Sequence, residues 1–328
     1  MATGMGRRAT AIRKPRRAID GVLVLDKPLG VSSNAALQIA KRLLGAEKAG
    51  HTGTLDPLAT GVLPLCFGAA TKLAQVSLDA DKRYLATIRF GVTTTTGDLE
   101  GAVVRSGPAS VTREQLADIC ARFTGPIRQR PPMHSALKKD GKPLYEYARA
   151  GIEVERDERD VTIHSIDVVE GKGDLWSVDV FCSKGTYIRT LAEDIGQALG
   201  CGAHLAGLRR TGSGSLSLTD AVTVEALEAL PEADRATLLL PADSLVAQWP
   251  SIHLSADDAG KLLAGMRRQT ELADAPAVRV YGPEPTAFLG IAHIVGGELI
   301  ATRLLSPAEV GRIAAPARPT FEFAGLTP

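Results

Sequence analysis

Cysteine is scarce in this 328-residue chain, and the four present, Cys66, Cys120, Cys182 and Cys201, lie far apart with no C-x-x-C and no histidine pair near them. That spacing argues against zinc-finger and zinc-ribbon layouts and against a disulfide framework. It fits a reducing, cytosolic compartment. No apolar run approaches the roughly 18 residues of a membrane span. After the basic start, only Val22 to Leu25 is continuously apolar before Asp26 and Lys27, too short for a signal-peptide core. Neither G-x-G-x-x-G nor the P-loop pattern occurs, so the sequence offers no phosphate cradle for a dinucleotide or a nucleoside triphosphate. Aromatic residues are only 4% of the chain, and 38 Lys plus Arg against 37 Asp plus Glu leave a net charge of +1. Bulk electrostatics therefore announce no polyanionic partner.

What is present is ordinary in amount and uneven in placement. A hydrophobic content of 45% and a charged content of 23% are those of a globular protein, and the length suits one large domain plus a small one. Arg7, Arg8, Arg13, Lys14, Arg16 and Arg17 all precede the first acid, Asp20. Residues 1–19 thus read as a flexible basic arm, an RNA-binding tail in preference to a transit peptide. Further basic groups are Lys41 with Arg42, Arg128 with Arg130, Lys138 with Lys139 and Lys142, and Arg209 with Arg210. Any one of these pairs reads as solvated surface; together they allow salt-sensitive phosphate binding.

Periodicity sets out the elements. Val22 to Leu25 reads as a strand entering a D-K-P-L-G turn, followed by a helix capped at Ser33 and stopped at Gly45. Tyr84, Ala86, Ile88 and Phe90 alternate on one face of a strand. Thr112 and Gln115 have capping-box spacing ahead of an apolar helix that Gly125 closes. Val161 to Val169 and Leu175 to Cys182 read as a hairpin, and a helix opening at Thr186 puts Tyr187 and Arg189 at a strand-to-helix corner. Strands and helices interleave without a strict beta-alpha-beta rhythm, which predicts an α+β fold with a mainly antiparallel mixed sheet flanked by helices. The expected organisation is a catalytic domain over 20–240, a linker over 241–250 and a small β-rich domain over 251–328, built from strands at Ala277 to Tyr281, Phe288 to Val295 and Glu298 to Leu305.

One stretch stands apart. Gly50 to Pro64 reads G-H-T-G-T-L-D-P-L-A-T-G-V-L-P and carries a single acid, Asp56, between glycine-bounded turns. Taken alone, Asp-Pro is a turn dipeptide. In this string, however, it closely resembles the catalytic loop of the bacterial TruB family of tRNA pseudouridine synthases. The resemblance extends in order through G-V-L-V-L-D-K-P at Gly21 to Pro28, D-K-R-Y at Asp81 to Tyr84, K-P-L-Y-E-Y-A-R-A-G at Lys142 to Gly151, C-S-K-G-T-Y-I-R-T at Cys182 to Thr190 and G-C-G-A-H-L at Gly200 to Leu205. It is specific from about Gly21 to Arg210 and weak beyond.

The resemblance implies the pseudouridine synthase fold, a C-terminal PUA-like RNA-binding domain, and isomerisation of the T-loop uridine, position 55 of tRNA, to pseudouridine. The glycosidic bond breaks, the base turns over, and its C5 joins C1′. No atoms enter or leave, so no cofactor and no metal is expected. The partner implied is the T stem-loop of tRNA, with no membrane, no guide RNA and a monomeric, cytoplasmic enzyme. Asp56 matches the family's nucleophile and Arg189 the cation that keeps it charged; without the motif, Arg189 would read as an i+4 partner of Glu193. Tyr84 matches the tyrosine that stacks on the target base, Tyr187 and Leu208 the rest of the base pocket, and His51 the residue that fills the space left by an extruded base. Lys27 is implied to pack beside the catalytic loop, its other reading being an exposed turn lysine. Thr95 and His134 depart from the Asp and Tyr that many relatives carry, which leaves loop stability and RNA contact open at those two positions.

Overall fold

A computed structural model describes residues 15–283 and 287–313. Nine strands form the large sheet: β1 (Gly21–Lys27), β2 (Ala49–His51), β3 (Ala59–Phe67), β4 (Lys82–Phe90), β5 (Gly125–Gln129), β6 (Arg159–Lys172), β7 (Leu175–Cys182), β8 (Ala203–Ser213) and β9 (Leu216–Ser217). Their order is β1-β3-β8-β4-β7-β6-β5, with β2 paired to the end of β3 and β9 to the end of β8. All of these pairings are antiparallel except β3 with β8, where Ala59 lies beside Leu208 and Gly61 beside Arg210. The expected mainly antiparallel mixed sheet is therefore the observed one, as is the hairpin β6–β7.

Register decides which side chains meet. Tyr84 is opposite Arg210 on β8 and Val180 on β7, while Ala86 is opposite Leu208 and Val178. Partners in register project from the same face, so Tyr84, Leu208 and Arg210 share one side of the sheet. Two helices cover that side, α1 (Ser33–Leu43) over Leu63, Leu65 and Phe67 and α3 (Ile188–Ala198) over Ala86, Ile88 and Val180; α2 (Arg113–Phe123) joins the second of these cores. The predicted capping box of Thr112 with Gln115 opens α2. At α1 the cap is Ser32, not Ser33. Ser33 is buried and has another task, described below. The helix expected from Thr186 begins at Ile188.

The other side of the sheet, with Val22, Val24, Val62 and Cys66, packs against the second unit. This unit is a five-stranded sheet of β10 (Ser251–His253), β11 (Arg268–Gln269), β12 (Ala275–Tyr281), β13 (Phe288–Val295) and β14 (Glu298–Leu304), in the order β10-β12-β13-β14-β11. The two short strands β10 and β11 carry too little pattern to be seen in sequence. Residues 241–250 join the units as a packed connection: Ala242, Leu245 and Val246 are buried in the same cluster as Phe288, Ile291 and Leu305. Lys72–Glu309 (2.6 Å) and Arg312–Asp20 (2.8 Å) tie the units further. Of the basic arm, Arg7, Arg8, Arg13 and Lys14 lie outside the described residues. Its described end is anchored: the Arg17 backbone N–H donates to Gly45 O, and Glu47 N–H donates to Arg17 O.

Candidate active site

The loop 52–58 enters β3 from the side of the sheet that carries Tyr84, and it is held at four points. Thr52 N–H donates to Pro64 O, and Ala59 N–H closes onto Asp56 O. From α1, the Ser33 hydroxyl donates to Leu55 O (2.9 Å) and accepts from Leu55 N–H (2.8 Å). From the turn after β1, Gly30 N–H and the Lys27 ammonium both donate to Pro57 O. Lys27 is 0% exposed, also donates to Pro28 O and Val31 O, and is pushed down to about 8 by burial, with the Asp56 charge opposing. The exposed-turn reading of Lys27 is thus corrected: it staples two turns together. Gly61 permits the close parallel approach of β3 to β8, since a Cβ there would lie 2.1 Å from Arg210 O at a φ of +98°.

These anchors put Asp56 opposite the corner between β7 and α3. Asp56 Oδ2 lies 3.0 Å from Arg189 Nη2, and Arg189 Nη1 lies 3.4 Å from Asp98 Oδ2. The guanidinium, 7% exposed, also donates to His134 O (2.6 Å) and Thr96 O (3.3 Å). The alternative i+4 pairing of Arg189 with Glu193 is not the ion pair formed. Asp98 is itself fixed, accepting from the Thr96 hydroxyl and from Glu100 N–H. At position 134 it is the backbone carbonyl, present whatever the side chain, that touches Arg189. Thr95 closes its own turn by accepting from Ala102 N–H. Burial pushes the Asp56 carboxyl above its usual range; Arg189 pulls it down, and the neighbouring Asp98 carboxylate pushes it up again.

Tyr84, Tyr187, Arg189, Leu208 and Asp56 line one cleft of about 270 Å³, close to the lower end of small-molecule sites. Lys82 borders it as well, its ammonium satisfied by Ser77 O, Leu78 O and Ala80 O. Tyr187 is oriented by Gln129, whose side-chain amide accepts from Tyr187 N–H (3.0 Å) and donates to Tyr187 O (3.3 Å). Opposite Tyr84 on β8 lies Arg210, 1% exposed, which donates to Val62 O (2.6 Å) and Gly53 O (3.3 Å). Burial pushes the Tyr84 phenol up, while Arg210 pulls it down. Among the described residues no carboxylate lies within ion-pair distance of Arg210. Its reading as solvated surface was therefore wrong, and its neighbour Arg209 pairs with Asp26 at 2.7 Å. His51 sits apart from this cleft, in an adjoining cavity of about 410 Å³ that shares Asp56 and Arg189 and adds Asp98 and His134. Burial, then Arg210, lowers its imidazole pKa.

The structure thus joins five of the seven candidates in one cleft, with His51 beside it and Lys27 behind the loop. Ser33, Asp98, Gln129 and Arg210 were missed, because each acts through contacts with residues distant in sequence. For Ser33→Ala the expected cost is about 1–3 kcal/mol of stability, since the partners of a buried hydroxyl lose their bonds. Turnover should fall about tenfold or more through misplacement of the acid. Thermal denaturation and single-turnover rates check both, and a silent substitution would show that the loop holds its shape without α1.

Comparison with known proteins gives consistent matches. The model of the TruB family pseudouridylate synthase N-terminal domain matches residues 41–188, that of the tRNA pseudouridylate synthase B C-terminal domain residues 189–247, and that of the pseudouridine synthase II TruB C-terminal region residues 250–305. The chain is 55% identical to a tRNA pseudouridine synthase B of Verminephrobacter eiseniae, over 94% of this chain and 95% of that one. It is 57% identical to that of Ralstonia nicotianae, over 89% and 96%. Among solved structures it is similar to a Cbf5–Nop10–Gar1 complex, with a TM-score of 0.69 and 25% identity over 89% of this chain and 87% of that one.

Proposed function

Because this chain belongs to the TruB family of pseudouridylate synthases and is an isomerase that forms pseudouridine in tRNA, we propose that its target is the T-loop uridine and that Asp56 is the nucleophile. The observation that carries the proposal is the 3.0 Å ion pair of Asp56 with a buried Arg189 at the mouth of a cleft walled by Tyr84, Tyr187 and Leu208. An ionised carboxylate is needed whether it attacks C1′, attacks the base or assists formation of a glycal. In each form the electron pair of the glycosidic bond leaves with N1, the base turns over, C5 bonds to C1′, and a proton passes from C5 to N1. In this reading Tyr84 stacks on the base, a contact worth about 1–3 kcal/mol, and its phenol relays that proton. Tyr187 supplies a polar contact and Leu208 an apolar wall. The reaction is an isomerisation, so it calls for no redox cofactor, metal or nucleotide.

The uridine must leave its stack to enter so small a cleft, at a cost of a few kcal/mol. To His51, in the cavity next to the cleft, we assign the role of occupying the vacated space. His51→Ala is expected to slow modification about tenfold with binding changed less; equal turnover in single-turnover assays would reject this role. The second unit acts as a PUA-like RNA-binding domain, and its docking on the back of the sheet makes it a fixed extension of the RNA surface. We assign the enzyme to the cytoplasm, as a monomer working without a guide. No helix among the described residues is long and apolar enough to cross a membrane.

The likeness to the Cbf5 complexes favours one other reading, a guide-dependent enzyme. Incubating the purified protein with unmodified tRNA transcript, without guide or cofactor, and mapping pseudouridine by chemical labelling separates the two. Product at a single T-loop uridine supports the proposal. No product on tRNA, but product on another RNA once a guide is added, would replace it.

A further inference from the structure

A second groove, of about 780 Å³, lies at the C-terminal end of α1. Its lining includes Arg16, Arg17, Lys41, Arg42 and Arg235 against one carboxylate, Glu232. In a chain with 38 basic and 37 acidic residues, five cations in one groove are a marked local excess. Two of the five build the groove. Arg17 donates to Leu44 O and Arg235 to Leu43 O, where the last carbonyls of α1 need donors. The other three, Arg16, Lys41 and Arg42, form no ion pair among the described residues, and Arg16 and Arg42 are exposed.

Helix geometry connects this groove to the active site. Asn34, which lines the cavity beside Asp56, and then Gln38, Lys41 and Arg42 recur at i, i+4, i+7 and i+8 along α1, so they form one continuous ridge. From Asn34 to Arg42 the helix rises about 12 Å, and its body is about 10 Å wide. The ridge therefore runs along one face of α1 from the rim of the catalytic site to the basic groove, so the two lie about 12 Å apart along the helix. A backbone lying in the groove belongs to nucleotides beyond the one whose base enters the cleft. Five cations from three separate segments line one groove of about 780 Å³, more charge and more room than a single small anion needs, which suits a polyanion.

We propose that this groove holds the phosphodiester backbone of the tRNA outside the stem-loop that enters the cleft, so that one RNA runs along α1 from the cleft to the groove. The proposal rests on the reading that tRNA is the substrate. The test compares a full unmodified tRNA transcript with an isolated T stem-loop, binding each to protein carrying Asp56→Asn so that nothing turns over, with and without Arg16→Gln, Lys41→Gln and Arg42→Gln together. For the full tRNA, the triple substitution is expected to weaken binding at least about tenfold and to reduce the slope of log K against log salt by about 2–3, near one unit per lost phosphate contact. For the stem-loop, binding should change less than twofold. Unchanged tRNA binding, or an equal loss on both RNAs, would overturn the proposal, the latter by marking a diffuse effect of charge. Failure of wild-type protein to modify tRNA, with the contrast between the two RNAs intact, would count against the catalytic reading and leave the groove standing.

Discussion

Asp56→Asn is expected to abolish pseudouridine formation, by at least about 10⁴-fold in single-turnover rate, as removal of a nucleophile does in other covalent catalysts. The tRNA dissociation constant should move by no more than a few-fold. The asparagine has nearly the same shape, and its amide oxygen can still accept from Arg189 Nη2, now 3.0 Å from the carboxylate. The loop should keep its place, because Ser33, Lys27, Gly30 and Thr52 hold it through backbone atoms and Asp56 contributes its own carbonyl, which the substitution retains. Stability gives a control with a definite sign. Burial raises the folded-state pKa of Asp56 above its unfolded value, so the folded protein binds this proton more tightly. Stability is then lost as pH rises through the window between those two values. At neutral pH the ionised carboxylate opposes folding, and the variant should melt no lower than wild type. An inactive variant that also melts well below wild type would mean that Asp56 holds the loop. Retained turnover would remove it as nucleophile.

How far the sequence carried this site depends on how local each contact is. The Asp56 loop, the alternation through Tyr84 and the corner bearing Tyr187 and Arg189 are contiguous patterns, and all three are readable without coordinates. Arg210 is different. It sits beside Arg209 in the chain, and nothing local distinguishes an arginine that pairs at the surface with Asp26 from one that lies opposite Tyr84; only the β4–β8 register separates them. Asp98 closes a threonine-rich turn, and its second partner comes from α3, ninety-one residues on. Ser33 looked like a cap because Ser32 and Ser33 are adjacent and equally able to cap, and only the burial of one decides between them. The C-terminal sheet shows the same limit, since its three longer strands alternate visibly and its two shortest do not.

Arg189→Lys should lower turnover about 10²- to 10³-fold although it keeps the charge. A lysine is one point donor on a flexible stem, whereas the planar guanidinium contacts Asp56, Asp98, His134 O and Thr96 O at once. The pH profile tells positioning from simple damage. With Asp56 as the proposed nucleophile, its ionised form is the reactive one, so activity is expected to be lost as pH falls through its pKa. Arg189 is the strongest influence pulling that pKa down, and Asp98 pushes it up. Weakening the Arg189 contact should therefore move the acid limb of the single-turnover profile to higher pH, with part of the lost rate recovered by raising the pH. Asp98→Asn removes a like charge, which favours the ionised form of its neighbour, and should move the same limb to lower pH even if the plateau falls. Two substitutions on either side of one guanidinium would then displace one titration in opposite directions, an outcome that general loosening of the site cannot produce. If both profiles merely drop with the limb unmoved, Arg189 braces the loop without setting the charge of Asp56.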